Sequence, residues 1–145
     1  MTGPGHPSAL EPTGFDALIG LELTSVTGDE VRGRLAVSER LLQPYGLLHG
    51  GVLCTVVETL GSVGGAAWYG ERGHVVGTSN ATDLLRSART GDVLEAVATP
   101  VHRGRTQQLW SVEVHDQRSR LIARGSLRVA NLPADPAADG APAGA

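Results

Sequence analysis

At 145 residues the chain has the length of one ordinary domain, and its 41% apolar content is enough for a core. A net charge of −3 with no basic block argues against nucleic acid as a partner, and the single cysteine, Cys54, excludes a disulfide framework within one chain and fits a reducing compartment. No basic segment precedes an apolar stretch at the start, and no apolar run approaches the ~18 residues of a membrane span. A soluble, cytoplasmic protein with no membrane partner is therefore expected.

Residues 1–13 mix Gly, Pro and Ser and read as a disordered N-terminal tail. A short amphipathic helix follows near Phe15 to Ile19, and then strands begin. Thr27-Gly28-Asp29 is a turn, after which Val31, Gly33, Leu35 and Val37 alternate with Arg32, Arg34 and Ala36, the pattern of a strand with one buried face. The one long helix candidate runs from about Gly51 to Tyr69. Strands are expected at 75–85 (VVGTSNATDLL), in VLEAVATPV after Gly91-Asp92, and in QLWSVEVH. HRGRT is the hairpin connection between the latter two, and DQRSR is the next turn. A last strand alternates Leu121, Ala123, Gly125, Leu127 and Val129 against Arg124, Ser126 and Arg128. PADPAADGAPAGA, residues 133–145, is low in complexity and reads as a C-terminal tail.

The domain thus spans 14–132. It is α+β, with one long helix and five to six strands. The late strands follow one another through short turns and should pair antiparallel, the curved sheet wrapping the helix. Only 3% of residues are aromatic and 20 are glycine, so the core is built from Val, Leu and Ala. Such a core is thin, and burial in an oligomer would support it.

Between Arg40 and Glu71 a single residue carries a full charge at neutral pH, Glu58. Placing successive helix residues 100° apart puts Leu53, Val56, Val57, Leu60, Gly64 and Ala67 on one side and Gly51, Cys54, Thr55, Glu58, Ser62 and Gly65 on the other. The first side should face the sheet. The second is small and polar with Glu58 at its centre and Ser62 one turn on. Glu58 could simply face water, but a solvated face usually carries several charges. Its small neighbours suit close approach by a second subunit or a ligand, which would partly desolvate the carboxylate. His49-Gly50-Gly51 stands where the helix begins. Glycines there form either an ordinary turn or a place where free N–H groups meet developing negative charge, such as the oxyanion of acyl transfer. Taken together, a donor at the helix start and a lone carboxylate further along point to attack on a carbonyl, with Glu58 as general base or nucleophile.

With Gln43, Gly46, His49-Gly50-Gly51, Glu58 and Ser62 in this order, followed by SNATDLLR and HRGRT, the chain resembles the hotdog-fold acyl-CoA thioesterases over roughly residues 15 to 131. The likeness is to the branch that includes phenylacetic-acid-pathway thioesterases and the glutamate-dependent 4-hydroxybenzoyl-CoA thioesterases. The resemblance implies a hotdog fold and hydrolysis of an aryl- or medium-chain acyl-CoA with no cofactor, and no metal is expected because His6, His49, His74, His102 and His115 show no ligand spacing. It makes Glu58 the catalytic carboxylate, the Gly50 amide the donor that polarises the thioester carbonyl, and Gln43 a side chain that positions the thioester. Ser62 takes the place of a threonine that helps place the hydrolytic water. His49, Gly51 and Asn80 fall among the substrate-binding positions, and Arg86, Arg105 and Thr106 fall where the family holds the CoA nucleotide. A homodimer or a homotetramer (a dimer of dimers) is implied, with the site built across the interface. Three rivals stand beside this reading: a non-catalytic acyl-CoA-binding or sensing hotdog protein, which needs no carboxylate; a hotdog hydratase or dehydratase, which pairs a catalytic His with a carboxylate; and an interaction scaffold, which the small-residue helix face could also serve.

Overall fold

The structure is a computed structural model describing residues 10–135. The parts of the two expected tails at 1–9 and 136–145 lie outside the described residues. In chain order the elements are α1 (Gly14–Ile19), β1 (Leu21–Val26), β2 (Val31–Ala36), α2 (Gly50–Tyr69), β3 (Gly73–Leu84), β4 (Val93–Arg103), β5 (Gln107–His115) and β6 (Leu121–Pro133). The strands form one six-stranded sheet in the order β1-β2-β4-β5-β6-β3, every neighbouring pair antiparallel. The sheet wraps α2, as the α+β reading expects.

α2 carries the core. Val52, Leu53, Val56, Val57 and Leu60 are buried against inward-facing residues of the sheet, among them Leu35, Leu94, Trp110, Val112 and Leu127. Glycines within a helix cost about 1 kcal/mol each in propensity. Here they permit the sheet to come close. A Cβ at Gly64 would lie 2.6 Å from the Trp110 ring, and one at Gly61 would lie 2.7 Å from Leu127. Trp110 is wholly buried in this way although the core holds few rings. The helix stops at Gly70, whose φ of 59° turns the chain away.

The two helix sides differ from the 100° sorting at two places. Gly65 is buried against Val129 and Gln108, while Ala67 is exposed. The sheet curls past the expected stripe on the β3–β6 side and stops short on the other, which a flat wheel does not represent. By length and composition the segment Gly50–Arg72 is also apolar enough to cross a membrane, with mean hydropathy 1.3, contrary to the expectation of no such run. Its small residues score as apolar, and in the fold this segment is the core helix.

Strand bounds match the expected ones to within a few residues, and β1 is a strand the sequence reading did not place. β6 continues to Pro133, and the Ala134 N–H donates to the Arg72 carbonyl at 2.9 Å, so order reaches past the expected boundary at 132. β3 is twelve residues long, pairs only with β6, and is exposed along most of its length. Its pairing slips between Gly77 and Ser79, a bulge that lies beside the middle of α2.

Candidate active site

The chain enters α2 through a tight loop. The Gln43 N–H donates to the Leu47 carbonyl at 2.8 Å and the Gly46 N–H to the Gln43 carbonyl at 2.9 Å, with Gly46 in the left-handed region at φ 81°. The Gln43 side-chain Oε1 accepts the Tyr45 N–H, which leaves its Nε2 free to donate. His49 is the N-cap: its backbone is extended (φ −64°, ψ 129°) and its Nδ1 accepts the Gly51 N–H at 2.8 Å. This cap assigns the imidazole proton to Nε2 and engages the Gly51 amide. His49 and Gly51, expected among the substrate-binding residues, therefore meet each other. Val52 N–H returns to the His49 carbonyl at 3.0 Å. The Gly50 N–H has no partner among the described residues, and it sits at the positive end of a twenty-residue helix.

A cleft of about 300 Å³ opens at this point, lined by Gln43, Leu48, Gly50, Leu53, Leu84 and Arg86, among others. Three of the residues singled out in the sequence thus meet around one space. Leu84 forms its lip, for a Cβ at Gly50 would lie 2.5 Å from the Leu84 Cδ1.

Glu58 lies further along the helix, half-buried under β3. Asn80 Nδ2 donates to Glu58 Oε2 at 3.3 Å and to the Cys54 carbonyl at 2.9 Å, while Asn80 Oδ1 accepts Thr82 Oγ1 at 2.7 Å. Asn80 therefore grips the carboxylate and the helix backbone together, where a substrate contact was expected. Its amide orients Glu58 by a neutral hydrogen bond, and no ion pair neutralises the carboxylate among the described residues. On the other side Glu58 Oε1 presses against β3 at Gly77. A Cβ there would run into that oxygen, so any larger residue would push the carboxylate from this position. Ser62 is half-buried, one helical turn beyond Glu58. Gly77 and Leu84 were not singled out in the sequence. A glycine inside a strand marks close approach by some neighbour, and this is the only signal the sequence held for Gly77.

Arg105 and Thr106 are exposed in the β4–β5 hairpin. The strand register places this hairpin and Arg86 at opposite ends of the sheet. Ala130 faces both Gln107 and Val76, whereas Leu84, two residues before Arg86, faces Ala123, which in turn faces Val114. One copy of the chain does not bring the two arginines together. An apolar hollow of about 630 Å³ lies at the C-terminal end of α2, bordered by Val26, Val63, Ala66, Ala67, Gly73 and His74, among others.

The geometry sits within a well-populated family. The profile of the thioesterase superfamily matches residues 45–123. A protein of Mycobacterium tuberculosis strain H37Rv named as an esterase is 44% identical over 137 residues, spanning 92% of this chain and 97% of that one. The 1,4-dihydroxy-2-naphthoyl-CoA hydrolase of Escherichia coli K12 is 33% identical over 127 residues, spanning 86% of this chain and 93% of that one. The crystal structure of AziG from S. sahachiroi superposes with a TM-score of 0.81 at 45% identity, over 86% of this chain and 99% of that one. With a six-stranded antiparallel sheet around one long helix and these relatives, the chain belongs to the thioesterase superfamily and is a hotdog-fold thioesterase.

Proposed function

We propose that the thioester is that of an acyl-CoA and that Glu58 carries its hydrolysis. The observation behind this is the lone half-buried carboxylate, held by Asn80 on one oxygen and lying against the bare backbone of Gly77 with the other. As a nucleophile, Glu58 attacks the thioester carbon, expels the CoA thiolate and leaves a mixed anhydride that water opens. As a base, it takes a proton from water while the oxygen attacks. Both routes place negative charge on the carbonyl oxygen, which the free Gly50 N–H is suited to receive, with Gln43 Nε2 as a second donor. Ser62 holds the water. Arg86, Arg105 and Thr106 take the CoA nucleotide, Arg being suited to phosphate.

Helix geometry supports a site built from two copies. Gly50 and Glu58 are eight positions apart on one helix, about 12 Å along its axis. A glutamate leaning toward the N-terminus recovers only part of that gap. A single thioester cannot lie within hydrogen-bond reach of both groups of one chain. A second copy docked antiparallel along the free β3 edge would bring its own Gly50 toward this Glu58, and its 104–106 hairpin toward this Arg86. The proposed unit is therefore a homodimer, alone or paired into a tetramer, in the cytoplasm.

The apolar hollow beside Val63 has room for an aryl or medium-chain acyl group. An E. coli relative named for an aryl-CoA supports the aryl choice; membership in the phenylacetic-acid-pathway and glutamate-dependent 4-hydroxybenzoyl-CoA branch is part of the proposal and rests on the motif alone. The test is Glu58→Gln, which keeps size and removes charge. Its kcat on a panel of acyl-CoAs, followed by thiol release, should fall by about two or more orders of magnitude, while the folded protein still binds CoA. Near-normal turnover by the folded variant would overturn the assignment.

A further inference from the structure

The β4–β5 hairpin is closed by the Gly104 N–H donating to the Gln107 carbonyl at 2.9 Å, and one buried residue ties down the loop tip from behind. Asn131, near the end of β6, donates from Nδ2 to the Gly104 carbonyl at 2.9 Å and to the Arg105 carbonyl at 3.2 Å. Its backbone N–H donates to the Thr106 carbonyl at 2.9 Å. Three successive carbonyls of the loop are thus fixed by a single residue. Asn131 is itself anchored: its Oδ1 accepts Gln108 Nε2 at 2.7 Å, Gln108 Nε2 also donates to the Gly65 carbonyl of α2 at 3.2 Å, and Gln108 Oε1 accepts the Trp110 indole N–H at 2.8 Å. Gln108 is wholly buried and Asn131 is 7% exposed. A polar chain of this kind in a core is stable only when every member is satisfied, and here every one is. It runs from the core helix outward to a surface loop.

What the loop presents is an exposed Arg105 and Thr106, whose side chains make no hydrogen bond among the described residues. A short exposed loop tip whose own side chains make no hydrogen bond would otherwise sample several conformations. Each would have to be frozen out when a ligand binds, which weakens affinity.

We propose that Asn131 is a positioning residue for the nucleotide end of the substrate. It holds residues 104–106 in one conformation, so that Arg105 and Thr106 meet the CoA phosphates without an ordering step. This rests on the reading of the hairpin as the nucleotide contact. Asn131 acts through the loop and touches neither the thioester nor Glu58, so its removal should alter substrate capture and leave chemistry alone.

The experiment compares two substrates carrying the same acyl group: the acyl-CoA, and the acyl thioester of N-acetylcysteamine, which lacks the nucleotide. Asn131→Ala should raise KM for the CoA ester about three- to tenfold with kcat unchanged, and should leave both constants for the truncated thioester as they are. Tryptophan emission, recorded in a Trp68→Phe background so that Trp110 alone contributes, checks that the Gln108 end of the chain is intact. Asn131→Ser, a smaller loss that can keep one donor, should fall between Ala and wild type, and it supplies the same test if Ala does not fold. An equal change on both substrates, or a fall in kcat, would make Asn131 merely structural and overturn the proposal. So would an unchanged KM in an enzyme that prefers the CoA ester. If the wild type shows the same kcat/KM on both substrates, it is the underlying reading of the hairpin that fails, and Arg105→Ala would confirm this by having no effect.

Discussion

A carboxylate that serves as nucleophile or base has to be held still without being neutralised. Glu58, proposed here for that role, has an amide donor on one oxygen and bare backbone against the other. The bare position is Gly77, whose φ lies outside the left-handed region, so an added methyl is acceptable to the strand and unacceptable only to the carboxylate. Gly77→Ala should therefore cut kcat by about tenfold or more while KM stays within about twofold, because small displacements of a reacting group are costly. Steady-state kinetics and a melting curve check this together, and unimpaired turnover would mean that the carboxylate rests elsewhere during reaction. How far the site is legible from sequence follows from the same residues. Glu58 stands out because no other full charge lies near it in the chain. Its partner Asn80 is 22 residues away, and their meeting depends on how β3 is laid along the helix, which no local pattern encodes.

At the scale of the element, α2 is shaped at its start by a histidine cap and along its length by glycine. The 3.6-residue period locates it almost completely, from 51 to 69 against an observed 50 to 69. The misplaced first residue is informative, since Gly50 is already helical because His49 supplies the cap. β1 is harder to see, as Leu23 and Ser25 on its inward side are only partly buried and its register shifts after Leu23, so its alternation is weak. The free amide at Gly50 gives a sharp test. Proline is tolerated at the first helical position, and the extended His49 backbone is what a residue before proline prefers. Gly50→Pro removes the N–H, while Gly50→Ala adds a similar atom against Leu84 and keeps it. If the amide receives the oxyanion, Pro should reduce kcat about a hundredfold or more relative to Ala at similar melting temperature. Equal rates for the two variants would remove Gly50 from the chemistry.

For the whole molecule, separation is the governing fact: the helix-start donor, the carboxylate and the β4–β5 hairpin are spread along one protomer. Sequence spacing brings Gly50 and Glu58 close in number, and the rise of the helix then holds them apart. A composite site makes a definite prediction. Glu58→Gln and Gly50→Pro should each be nearly inactive alone. After mixing under conditions that exchange subunits, they should recover roughly a quarter of wild-type activity, from half of the dimers with one intact site of two. No recovery despite exchange, shown by a tagged subunit, would confine each site to one chain.

The exposed β3 then takes on a second significance. The strand that walls in Glu58 is also the sheet edge left open in a single copy, with Val76 and Leu84 bare to water. Open edges are prone to pair with whatever is offered. If the proposed dimer forms along this edge, dilution, by separating copies, would leave each carboxylate facing solvent with no Gly50 amide opposite. Catalytic power per molecule would then depend on how many molecules are present, and a scarce protomer would be a silent one.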